Sequence, residues 1–192
     1  MQPRISIITI CYNAASTITR TLRSVSAQTY PNIQYLIIDG ASKDNTLELV
    51  RELAPEAEIY SERDKGIYDA MNKGLDRATG DYVWYVNAGD ALVSPTTVED
   101  LVRATCTGDS LPDVLYGDTR LIDAEDHDLG LRRLRPPHQL DWRSFRASVI
   151  RPSSLSEVSR PTTIYTTASL PTSTGASVYS RKPRPQPSTP SP

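Results

Sequence analysis

The sequence predicts an α/β protein built on a mostly parallel sheet with helices on both faces. Three observations predict it. Strand-like and helix-like segments alternate β-α-β-α-β-α-β between Ile5 and Val86, an order that right-handed crossovers turn into a parallel sheet. The first two strand candidates are apolar runs of the buried type. Each of those runs ends in polar groups, at Tyr12 and Asn13 and again at Asp39, and strand carboxyl ends are where open parallel sheets hold ligands.

The first strand is Ile5–Ile10. A helix from about Ser16 carries Ile18, Leu22 and Val25 at i, i+4 and i+7, so one face turns to the core. Pro31 lacks an N–H and restricts Tyr30, which breaks that helix around 28–32. Gln34–Ile38 is the second strand. After Ser42-Lys-Asp-Asn45 a second helix runs to Pro55 with Leu49, Val50 and Leu53 inward, and Ala57–Tyr60 is a short third strand. The third helix, Gly66–Ala78, puts Ile67, Ala70, Met71, Gly74 and Ala78 on one face and stops at Gly80. Tyr82–Val86 is the fourth strand, with Trp84 and Tyr85 expected to pack between sheet and helices. A fourth helix, Pro95 to about Ala104, begins with Pro near its first position and acids after it. Asp113–Tyr116 and Leu121–Ile122 read as later strands, and Asp123–Asp128 as a solvated turn.

Beyond Arg146 the periodicity ends. Of the 46 residues from 147 to 192, 26 are Ser, Thr or Pro, a composition that buries too little apolar area to offset chain entropy. Two regions follow: a folded domain at 1–146 and a disordered tail at 147–192. Their charges differ, −6 for the first and +4 for the second within a net −2. With so balanced a chain no broad basic surface argues for nucleic acid. Cys11 and Cys106 make no disulfide framework, and Cys11 reads as a small core residue. No apolar run is long enough for a membrane span, and the start is too short for a signal segment. The expectation is a cytoplasmic protein.

The strand ends carry the chemistry. Asp39 has a plain alternative as a turn and capping residue, as do Asp44 and Asn45. A third polar strand end, Asn87-Ala-Gly-Asp90, delivers Asp90 into a Gly-containing loop. A carboxylate there suits a hard divalent cation shared with a diphosphate, although turn chemistry before Pro95 is the alternative. If the topology holds, Thr9–Asn13, Asp39 and Asp90 lie on one edge of the sheet. No Gly-rich phosphate loop followed by Lys is present, which argues against other nucleotide-using α/β enzymes. His127 and His138 have no identifiable partner.

Five blocks in register then resemble the family 2 glycosyltransferases: Ser6-Ile-Ile-Thr-Ile-Cys-Tyr-Asn13, Asp39-Gly-Ala-Ser-Lys-Asp-Asn-Thr46, Ser61-Glu-Arg-Asp-Lys-Gly-Ile-Tyr-Asp-Ala-Met-Asn-Lys-Gly74, Ala78-Thr-Gly-Asp-Tyr82 and Asn87-Ala-Gly-Asp90. The resemblance implies a GT-A, Rossmann-like fold and a nucleotide-sugar donor, a UDP-sugar above all. It implies that Thr9 and Tyr12 line the nucleobase pocket and that Asp39 accepts a hydrogen bond from the base. Asp64 and Lys65 would lie near the ribose and diphosphate, with a cap and a solvated helix face as the alternative for Lys65 and Asp69. Asp90 would ligate the cation, Mg²⁺ or Mn²⁺. Asn87 and Gly89 stand where relatives often carry further acids. The acceptor implied is a glycan or lipid-linked sugar of cell-surface polysaccharide assembly, compatible with peripheral contact at the inner face of a membrane.

One block is missing. In the subgroup resembled, a segment like Leu140-Asp-Trp-Arg-Ser-Phe145 leads through a His-Gln pair to a Ser-Ala-Asp-Phe-Asp-Trp-type block carrying the general base. Here neither follows. The genetic code offers a reason. If the true codons begin at the third base of those now read, Val149–Ser153 permit Ser-His-Gln-Ala-Phe and Ser169–Ala176 permit Phe-Ser-Ala-Asp-Phe-Asp-Trp-Cys. A frameshift near Phe145–Ser148 would make the tail an out-of-frame translation, as opposed to a true low-complexity tail. The chain then lacks its base, and a nucleotide-binding remnant without catalysis is the alternative to an active enzyme.

Overall fold

The computed structural model describes residues 2–106, 111, 114–115, 120–122, 128–131 and 179–181. Its order is β1 (Ile5–Cys11), α1 (Ile18–Ser26), β2 (Ile33–Asp39), α2 (Thr46–Leu53), β3 (Glu58–Ser61), α3 (Ile67–Arg77), β4 (Tyr82–Tyr85), α4 (Thr97–Thr105), β5 (Val114–Leu115), β6 (Arg120–Ile122), β7 (Asp128–Leu131) and β8 (Tyr179–Arg181). The alternating architecture expected from the sequence is present.

The main sheet has the order β3-β2-β1-β4-β8-β5. Its first four strands are parallel, with Ile5 opposite both Ile33 and Tyr82 and Cys11 opposite Asp39. β8 runs antiparallel between β4 and β5, and β6 and β7 form a separate antiparallel pair.

Strand alternation sends successive side chains to opposite faces and splits the core in two. Ile5, Ile7, Tyr35, Ile37, Tyr82 and Trp84 pack against Ile18, Leu22 and Val25 of α1, Val50 of α2 and Val98, Leu101 and Val102 of α4. Ile8, Leu36, Ile38, Val83 and Tyr85 face Ala70 and Met71 of α3 on the other side. Among the described residues helices therefore cover both faces, α1, α2 and α4 on one and α3 on the other. Trp84 and Tyr85 are both buried, on opposite faces.

Some details differ from expectation. Ile67 is 53% exposed although its spacing placed it inward, because it opens α3 beyond the sheet edge, and Tyr68 beside it is 71% exposed. Pro95 precedes the helix rather than opening it, with Thr96 at the α4 N-cap. Asp128 belongs to β7, paired with β6, rather than to a turn. Three residues of the tail, Tyr179–Arg181, depart from the expected disorder by forming β8, since backbone pairing along an open strand edge asks little of the sequence. The remainder of 147–192, His127, His138 and the segment 140–145 lie outside the described residues.

Candidate functional site

Four parallel strands must end on one edge, and the segments leaving that edge carry Tyr12, Asp64, Lys65 and Asp90, with Asp39 the last residue of β2. Tyr12 and Asn13 follow β1, Gly40–Asn45 follow β2, Glu62–Gly66 follow β3, and Val86–Asp90 follow β4. Asp39 and Asp90 thus belong to the same rim. The ladder continues past the strands through Gly40 N to Cys11 O (2.9 Å), Glu62 N to Asp39 O (3.0 Å) and Val86 N to Ile8 O (3.0 Å), which stiffens the rim's base.

Asp39 lies at the centre of this base. It is 0% exposed, and its carboxylate has four donors around it. Oδ2 accepts from Ser42 N at 3.0 Å and Ser61 Oγ at 2.6 Å, and Oδ1 accepts from the Ser42 hydroxyl and from Cys11 Sγ at 3.7 Å. A carboxylate offers about four lone-pair sites, so in this arrangement none is spare. Burial first, then the charge of Asp39, pushes the Cys11 thiol up to about 12.

The Ser42 hydroxyl also accepts from Asn13 N at 2.8 Å, so it ties the β2 loop to the β1 loop. Three further bonds close the same seam: Lys43 N to Asn13 Oδ1 (2.9 Å), Ala14 N to Thr46 Oγ1 (2.8 Å) and Ala15 N to Asp44 Oδ2 (3.0 Å). The Thr46 hydroxyl, helped by the N–H groups of Ala15 and Thr46, holds the Asp44 carboxyl below its ordinary range. Asn13 and Ala41 both take positive φ, 46° and 65°, conformations that this bonding enforces.

Tyr12 projects from the seam with 61% of its surface exposed. A Cβ built on Gly40 would stand 2.6 Å from Asp64 Oδ2 and 3.2 Å from Tyr12 Cδ2. Glycine at 40 therefore lets Tyr12 and Asp64 close over the same patch of backbone. Asp64 is held by accepting from Gly66 N at 2.8 Å. Lys65 is exposed, and its backbone N–H donates to Asp69 Oδ2 at 3.0 Å. That bond foremost, with the nearby Lys73 charge, keeps Asp69 below the usual carboxylate range. Asp69 thus ties the first turn of α3 back to the loop before Gly66, the residue at its N-cap.

Thr9 does not face the rim. Its side chain is 0% exposed, and its hydroxyl donates to Val86 O at 2.8 Å while lying 3.1 Å from Tyr35 Oη. Two residues short of the strand end, it points into the core and bridges β1 to the exit of β4.

Asp90 closes a tight turn, donating from its N–H to Asn87 O at 2.9 Å. Gly89 has φ +103°, the conformation that favours glycine at the third position of such a turn. An acid at 89, frequent in relatives of the resembled family, would be strained in this backbone. Asp90 is exposed, and Asn87 Oδ1 is a buried oxygen without a hydrogen-bond partner among the described residues. Among the described residues no group of three His, Cys, Asp or Glu side chains is poised to hold a metal. Asp90 and Asn87 supply oxygen donors suited to a hard cation that takes its remaining ligands from a phosphate group.

The sequence reading missed Gly40, Ser42 and Ser61. Gly40 and Ser42 stood inside a quoted block, but a glycine's role as a close-approach point depends on a neighbour twenty-four residues away. Ser61 reaches Asp39 only because β2 and β3 pair in register.

Comparisons with known proteins bear on the family and the fold. The family profile described as Glycosyl transferase family 2 matches residues 6–165. An uncharacterized glycosyltransferase of Mycobacterium tuberculosis is 34% identical over 148 residues, 76% of this chain and 54% of that protein. A PGL/p-HBAD biosynthesis glycosyltransferase of Mycobacterium bovis is 35% identical over 121 residues, 60% of this chain and 46% of that one. The chain thus spans about half the length of these relatives. The 1-349 fragment of S. aureus TarS in complex with UDP-GlcNAc aligns with a TM-score of 0.54 at 22% identity, covering 63% of this chain and 36% of that chain. The fold is shared with that structure, and the profile match over most of the sequence establishes that the chain belongs to glycosyltransferase family 2.

Proposed function

We propose that the rim binds the nucleotide part of a UDP-sugar together with a divalent cation. The observation that carries this reading is the convergence of Tyr12 and Asp64 over Gly40, on the same sheet edge as the Asn87–Asp90 turn. Tyr12 offers an exposed aromatic face for stacking on a base. Asp64 and Lys65 would lie near the ribose and diphosphate. A base N–H reaches Asp39 only by displacing the hydroxyl of Ser42 or Ser61, both of which rotate freely about their Cβ–Oγ bonds. Thr9 serves by fixing the β1–β4 spacing beneath the site. Asp90 and Asn87 would hold Mg²⁺ or Mn²⁺, which when bound offsets the negative charge of the departing diphosphate.

In intact relatives the donor sugar passes to a glycan or lipid-linked acceptor, with a carboxylate taking the acceptor proton. The block that would carry this base is absent from the sequence, which favours a second reading for this chain: nucleotide binding with little or no transfer. Calorimetry of UDP with and without Mn²⁺, run beside a donor-turnover assay, tests both. The expected result is UDP binding that Mn²⁺ tightens, loss of the Mn²⁺-dependent part in Asp90→Asn, and turnover far below that of a full-length relative. Absence of UDP binding under either condition refutes the site, and relative-like turnover refutes the remnant reading.

A further inference from the structure

We propose that Thr21, on α1 and outside every strand-end segment, is a positioning residue for the cation turn. The inference rests on the reading that Asp90 holds the cation. Thr21 is fully buried, and its hydroxyl lies inside the Asn87–Asp90 turn. Oγ1 accepts from Gly89 N at 2.9 Å and donates to Asp90 O at 2.7 Å, with Asn87 O a more distant acceptor at 3.2 Å. One atom thereby ties down the backbone on both sides of the bond that leads into Asp90. A hydroxyl donates and accepts at once, whereas the near-isosteric valine side chain does neither.

The grip extends along the helix. Ser24 Oγ accepts from Leu92 N at 3.1 Å. Gln28 donates to Ser94 O at 2.7 Å and accepts from Val98 N at 3.0 Å. Thr21 and Ser24 share one face of α1 and Gln28 lies two residues past its end, so α1 and its exit lace the segment from Gly89 to Ser94 and the first turn of α4 at Val98. A carboxylate that shares a hard cation with a diphosphate must be held close to its working position, and groups that orient a metal ligand tune affinity without touching the metal. Thr21 occupies that role through backbone, which is why nothing in its residue type announces it.

The test is UDP calorimetry on the full chain with and without Mn²⁺, comparing wild type, Thr21→Val, Thr21→Ser and Thr21→Cys. In wild type Mn²⁺ tightens UDP binding. In Thr21→Val that gain falls about tenfold, while metal-free UDP affinity stays within about twofold. Thr21→Ser keeps the hydroxyl and restores the gain. Thr21→Cys, with a weak S–H in the same place, gives an intermediate loss and carries the test should valine not fold. A full Mn²⁺ gain in both Val and Cys variants overturns the inference. So does an equal fall in metal-free and metal-bound affinity, which would make Thr21 a general packing residue. No Mn²⁺ gain in wild type overturns the cation reading itself, and this inference with it.

Discussion

Gly40→Ala separates the nucleotide face from the fold beneath it. Gly40 is not among the glycines with positive φ, so its backbone accommodates alanine without strain. The cost lies in space. A contact between a Cβ and its neighbour becomes ordinary at 3.4 Å, whereas Asp64 Oδ2 would stand at 2.6 Å and Tyr12 Cδ2 at 3.2 Å. The carboxylate must therefore retreat by about 0.8 Å and the ring by about 0.2 Å. Asp64 cannot retreat without stretching its bond to Gly66 N, now 2.8 Å. Losing that exposed bond costs about 1 kcal/mol, so overall stability changes little and the melting temperature moves by only a few degrees. UDP affinity suffers more, because Tyr12 stacking and the Asp64 position shift together, and a loss of about tenfold is expected, equivalent to about 1.4 kcal/mol. A thermal melt and a UDP titration on the same sample read the two effects. If Gly40→Ala binds UDP as the parent chain does, Tyr12 and Asp64 do not line the nucleotide site.

Two further outcomes concern the buried carboxylate. Asp39→Ala leaves the half-buried Ser42 N–H beside an uncompensated gap and is expected to cost about 2 kcal/mol in a urea melt. Asp39→Asn recovers roughly half of that, since the Ser42 and Ser61 hydroxyls can turn to accept from the amide, and an Asp39→Ala chain as stable as its parent would refute the network. Cys11, its thiol pushed up to about 12, is expected to resist a maleimide reagent at pH 8 in the folded chain and to react once the chain is denatured. Rapid modification of Cys11 in the folded state, located by peptide mass, would contradict its burial beside Asp39.

How much was legible follows from the range of each signal. The apolar repeat of α1 and the β1 and β2 runs are local patterns, and the structure places Ile18, Leu22, Val25, Ile37 and Ile38 in the core as the repeat required. Ile67 obeyed the same repeat and is exposed, because periodicity assigns a face but not whether a neighbour covers it. Asp39 was chosen as a polar strand end, and Thr9 by the family resemblance. Their burial depends on strands twenty-six and twenty-eight residues distant, through Tyr35 and Cys11. β8 and β7 eluded the reading because pairing partners, not composition, make a three- or four-residue strand.

The amino-acid order alone determined the alternation of strand and helix and the family, and it put Tyr12, Asp39 and Asp90 at one edge on the condition of a parallel sheet with right-handed crossovers, which the strand order meets. Only the folded chain decided which of these groups face outward. Asp39 is enclosed by Ser42, Ser61 and Cys11, Thr9 is turned into the core, and Tyr12 and Asp64 meet over Gly40. Thr21 reaches the Asn87–Asp90 turn from another element altogether. The physical reason is that hydrophobic periodicity is encoded within a few residues, whereas hydrogen-bond satisfaction is settled among groups that become neighbours only after the sheet has formed.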